Sequence, residues 1–168
     1  MSNYPALALS VRQPWAWAII FGGKDIENRS WQAVNHGLKR RGRVCIHASQ
    51  GMTKFEYESA RRHIEECGVE CPHPSLLRFG CIIGSVEVVD VVTESDSPWF
   101  MGPRGLVLRD PEQINLKRLV PGQLGYFKWE KTSDLPPDPK PWMMNWPEPP
   151  VGRKQRSKTI DMFNEAIQ

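Results

Sequence analysis

The chain contains no apolar run of about 18 residues and no charged-then-apolar leader, so it is expected to be neither membrane-spanning nor secreted. Cysteine is sparse: Cys45, Cys67, Cys71 and Cys81 in 168 residues do not read as a disulfide framework, and a reducing cytoplasm is the expected compartment. Charge of one sign is also missing. Lys and Arg number 22 against 19 Asp and Glu, a net +3 that is too mild to prove a polyanion partner. Apolar residues at 40% and charged residues at 24% exclude a disordered chain. A single domain of this length buries roughly 68–70% of its unfolded surface and needs no disulfide or metal to fold. What the chain has in excess is aromatic and cyclic: 7 Trp and 15 Pro.

Position matters more than number here. Seven prolines fall between Pro136 and Pro150, a density that removes backbone donors and interrupts any helix or strand. The core domain is therefore expected over residues 1–131, followed at 132–168 by a Pro/Trp-rich strap and a short C-terminal helix. In that helix Ile160, Phe163 and Ile167 lie along one face. Trp142, Met143, Met144 and Trp146 are too apolar for a free linker; they either lie across the domain or bind a partner protein. Within the core, Leu7–Val11 alternates as a strand, and Trp15–Phe21 is apolar all round and must be a buried helix. Segments 24–31 and 43–48 follow as strands. A Thr53–Glu56 capping box opens a second helix with Phe55, Ala60, Ile64 and Cys67 toward the core. Cys81–Val92, Gly105–Arg109 and Gly125–Glu130 bring the total to about six strands. The fold class is α+β, a small, mostly antiparallel β-barrel with peripheral helices.

The segment GGKDIENRSW carries the chemistry. In extended chain, Asp25, Glu27, Arg29 and Trp31 point one way and Ile26 the other. Lys24 follows a glycine turn, so pleat alone does not fix its direction. Arg offers a planar fork, Lys a movable charge, Glu an acceptor for amino groups and Trp a stacking plane. The alternative is a solvated strand face with a Glu27–Arg29 ion pair.

SVRQPWAWAIIFGGKDIENRSW resembles the opening of an ASCH domain, a branch of the PUA-like β-barrel superfamily. The family signature, Gly-x-Lys-x-x-Glu-x-Arg, is complete here as Gly22, Lys24, Glu27 and Arg29. RGRVCIHAS, IIGSVEVVDV, SPWFMGPRGLVL and PGQLGYFKW resemble the family in order and spacing, so the likeness runs from about Leu7 to Trp129. It implies a cleft beside the signature that takes RNA, single-stranded nucleic acid or a modified nucleoside, with Lys24, Glu27, Arg29, Trp31, Arg40, Arg41 and Trp99 lining it. Some relatives are amidohydrolases of 4-acetylcytidine and some are reported to cut RNA, which implies Lys24 and Glu27 as catalytic candidates. In those amidohydrolases the third signature position is a Thr nucleophile. Glu27 replaces it here and cannot act as a hydroxyl nucleophile. No cofactor is implied.

Four further features are open to two readings. Lys39, Arg40, Arg41 and Arg43 form either a phosphate rail or a solubilising loop. Trp99 is either a stacking platform or a lid on the core edge. His63, Cys67, Cys71 and His73 have tolerable zinc-ligand types, but the expectation is no metal. Glu87 either reaches the cleft or lies on the barrel exterior, and Asp90, three residues on, shares its face only through a bulge.

Overall fold

The computed structural model describes residues 3–30 and 39–147, so Trp31 and the segment with Ile160, Phe163 and Ile167 lie outside the described residues. Six strands, β1 (Leu7–Val11), β2 (Ile26–Arg29), β3 (Gly42–Ala48), β4 (Cys81–Val92), β5 (Arg104–Gln113) and β6 (Tyr126–Lys128), form one sheet in the order β2-β5-β4-β3-β1-β6. Every ladder is antiparallel except β1 with β3. The sheet is strongly curled. In a flat sheet β2 and β1 would stand four strand steps, about 19 Å, apart. Yet Nη2 of Arg29 on β2 donates to the carbonyl of Ser10 on β1 at 2.7 Å. Edge strand β2 thus approaches β1 just beyond the ladder of Leu7–Leu9 with β6, without a ladder joining β2 to β1 among the described residues. This is the α+β barrel-like sheet that the sequence predicts, left open at one seam.

Helix α1 (Trp15–Phe21) fills the curl. Ala16, Ile19 and Ile20 pack on the sheet, while Trp17 and Ala18 face a second cluster, so apolar surface is covered on both sides of the helix, with Trp15 and Phe21 half-buried at its ends. Gln13 holds its start: the side-chain oxygen accepts from the Trp17 amide, and the side-chain nitrogen donates to the Arg78 carbonyl. Gly84 lets the helix approach β4, since a Cβ there would come within 2.4 Å of Ile20 and 2.6 Å of the Glu112 carbonyl.

Helix α2 (Lys54–Glu66) begins at the expected capping box. Its buried face is Tyr57, Ala60 and Ile64; Phe55 is 77% exposed, contrary to expectation. At about 100° per residue, Phe55 stands opposite Ile64, and Tyr57 takes the core position instead. The proline-rich segment packs back onto this helix. In α3 (Pro141–Met144), Met143 is buried, and the Trp146 ring meets Tyr57 edge-on with centroids 4.9 Å apart. Lys54 covers the Trp146 ring, and His73 bonds the Trp146 carbonyl. No helix among the described residues is long and apolar enough to cross a membrane.

Candidate nucleic-acid interface

Strand β2 carries the signature to the open seam. Its register sets Glu27 opposite Leu106 and Arg29 opposite Arg104. Leu106 belongs to the core cluster against α1, so Glu27 and Arg29 face the inside of the curl, and Arg104 shares their face. The period of two therefore holds. Lys24, whose direction pleat leaves open, is turned inward: the turn at Gly23, with φ of 74°, folds it to 3% exposure. Its amide donates to the Ala18 carbonyl and its ammonium to the Ile26 carbonyl. The ammonium also lies 3.1 Å from Glu27 Oε2 and 5.7 Å from the centre of the Trp15 ring. Glu27, 9% exposed, uses its other oxygen toward Arg29 Nη2 at 3.6 Å. The signature is thus a mostly buried cation–anion–cation row, with a half-buried Trp15 over one end.

At the other end, Arg29 reaches the edge of β1 beside β6. Tyr126, opposite Leu9 in the β1–β6 ladder, packs on the same core face. Burial pushes its phenol up, while Arg29, Arg40 and Arg41 act in the opposite direction. Those three arginines therefore lie within electrostatic reach of Tyr126 although they are far from it in sequence. Tyr126 and Arg104 are functional candidates that the sequence alone did not single out. Both stand in segments that resemble the family, GYFKW and SPWFMGPRGLVL, and the arginine after Gly102-Pro103 was the available signal for one of them.

Other candidates are placed elsewhere. Trp99 is 5% exposed, edge-on to His63, with its carbonyl held by Asn28; it is a core lid and not an open stacking plane. Lys39 and Arg40 are exposed, Arg40 within electrostatic reach of Tyr126, and Arg41 is exposed and paired with Asp90 at 3.3 Å. Arg43 turns away, bonding Ser85 Oγ and the Asp110 carbonyl, with Glu87 and Glu112 nearby. That engagement puts Glu87 on the exterior face, opposite Arg43 in the ladder. His63 and Cys67 both turn to the Pro98 carbonyl, whereas His73 turns to Ser75 and Trp146, and Cys71 packs by Tyr57. Among the described residues, no three such groups come together as metal ligands.

The comparisons with known proteins agree with the resemblance. Residues 9–117 match the family model of the ASCH domain. Activating signal cointegrator 1 of Homo sapiens is similar to this chain, 30% identical over a stretch covering 65% of this chain and 21% of that protein. The Mus musculus protein of the same name is 29% identical with the same coverage. The chain spans about a fifth of the length of these relatives.

Proposed function

The chain belongs to the ASCH domain family, and from that premise we propose that it binds single-stranded RNA, or a nucleotide drawn out of it, at the open seam of the curled sheet. One observation carries the reading. Lys24 and Arg29, at the two ends of the signature, and Arg104, from a distant strand, converge with Trp15 and Tyr126 where β2 meets β1 without pairing. Cations there hold phosphate or carbonyl oxygens, and Trp15 offers a partly open ring for a base. Lys39 and Arg40 extend the positive rim toward solvent. Glu27, with both oxygens already engaged by cations, orients Lys24 and Arg29 and reads no base directly. A hydroxyl nucleophile is absent from its signature position, so we propose binding without turnover.

The test is the affinity of a short mixed-sequence single-stranded RNA for the wild-type protein and for Arg29→Met at one fixed salt concentration. The variant should bind about ten-fold to a hundred-fold more weakly, as when one charge-assisted hydrogen bond is removed, with its circular dichroism unchanged. Equal affinities would refute the assignment of the site. Incubating wild type with 4-acetylcytidine should release no acetate; release that disappears in Glu27→Gln would replace binding with hydrolysis.

A further inference from the structure

Buried polar groups in native proteins are nearly always hydrogen-bonded, so an orphaned one asks for a partner. Two orphans meet at this chain's seam. Among the described residues, neither the Tyr126 hydroxyl nor Arg29 Nε has a hydrogen-bond partner, although both are sealed from water. They are neighbours by register: Tyr126 lies opposite Leu9, and Arg29 Nη2 bonds the carbonyl of the next residue, Ser10. Arg104 stands directly across from Arg29, a like-charge juxtaposition that destabilises a bare sheet. Among the described residues, Glu27 is the carboxylate paired with Arg29, and it is shared with Lys24.

We propose that a phosphate group is the missing partner, accepting from Tyr126 Oη and Arg29 Nε as the guanidinium swings off the Ser10 carbonyl. This rests on the reading of the seam as a nucleic-acid site and makes that site specific for the phosphate-bearing form of its ligand. Burial holds the phenol in its neutral, donating form, as binding an anion requires. The guanidinium exchanges one neutral carbonyl for a charged acceptor, the stronger of the two hydrogen bonds. A phosphodiester in RNA and the phosphate of a free nucleotide offer the same oxygens.

Tyr126→Phe tests the idea, because it deletes only the orphaned hydroxyl. In chloride, the variant should melt at or above the wild-type temperature, since the group removed is unsatisfied. Inorganic phosphate at matched ionic strength should then raise the wild-type melting temperature more than that of the variant; the comparison between proteins removes the general stabilisation by phosphate. Arg29→Lys, which keeps the charge and loses the fork, should show the same weakened phosphate response. For the short RNA and for a nucleoside 5′-monophosphate, Tyr126→Phe should weaken binding about ten-fold, and for the unphosphorylated nucleoside not at all. An identical phosphate response in the two proteins overturns the inference, as does a variant that melts well below wild type in chloride. Phosphate response without RNA binding would keep this subsite and refute the RNA reading. RNA binding that is untouched in Tyr126→Phe would do the reverse, and the monophosphate arm separates a free nucleotide from a polymer.

Discussion

Lys24 and Glu27 face each other almost without water, so they hold the fold together as well as forming part of the proposed site. Removing one member of a buried pair leaves the other charged and unpaired, at roughly 3–5 kcal/mol. Arg29 still faces Glu27 when Lys24 is gone, so the low end applies: Lys24→Ala should lose about 3 kcal/mol in urea denaturation. A loss below about 0.5 kcal/mol, usual for exposed substitutions, would mean that the pair is solvated. Glu27 and Arg29 sharing a face was legible from the two-residue period of a strand. The inward turn of Lys24 was not, because the positive φ at Gly23 decides it and pleat does not. A second buried titratable group is His47, 1% exposed. Its Nε2 faces the Val120 carbonyl at 2.8 Å and must donate, so Nδ1 accepts from the Ser10 hydroxyl at 3.0 Å. Burial lowers its pKa below the ordinary 6.5. The unfolded chain therefore binds the proton more readily, so the stability His47 contributes is complete above pH 6.5 and falls as pH drops below it. Melting curves between about pH 7 and pH 5 should show this slope in wild type and lack it in His47→Gln. Parallel slopes in the two proteins would exclude His47 as the source.

At the level of elements, most boundaries were readable because each has a local cause. The alternation of LALSV, the apolar WAWAIIF and the β-branched run from Cys81 to Val92 reappear as β1, α1 and β4 with the expected limits. The Thr53 capping box is intact, with both of its reciprocal bonds. The face of α2 differs from expectation at Phe55 because two aromatics, Phe55 and Tyr57, stand near the start of the helix, and only the phase relative to Ala60 and Ile64 separates them. Tyr57 wins, and its hydroxyl finds the Pro72 carbonyl at 2.6 Å. The same face receives α3. Met143 is 1% exposed inside the second cluster, so Met143→Ala should destabilise by about 2–5 kcal/mol in the same denaturation assay. An effect within about 0.5 kcal/mol would show that the segment from Pro141 to Trp146 does not rest on α2 in solution.

At the scale of the whole molecule, the site is assembled by contacts that no local stretch of sequence contains. Tyr126, Arg104 and the signature are brought together by a sheet order that runs β2-β5-β4-β3-β1-β6, with a parallel β1–β3 pair in an otherwise antiparallel sheet. Such pairing is non-local, so no window of sequence contains it. Trp99 was open to either reading for the same reason: His63, on a distant helix, is what closes over it. At this scale the cations act as a field. RNA affinity should fall with rising salt. Reversing Lys39 and Arg40 to Glu should lower the affinity, and should flatten the slope of log K against log salt by up to about 0.7 for each single-strand phosphate no longer neutralised. An unchanged slope would reduce the loop to a solubility feature. The molecule also offers a rival surface, a groove of about 810 Å³ lined by Tyr4, Pro5, Lys128, Trp129 and Lys131. Backbone amide chemical shifts during titration with the short RNA discriminate directly between the two. Perturbations should converge on Lys24–Arg29, Arg104 and Tyr126 if RNA binds at the seam. Perturbations confined to Tyr4–Ala6 and Lys128–Lys131, with the signature silent, would contradict binding there.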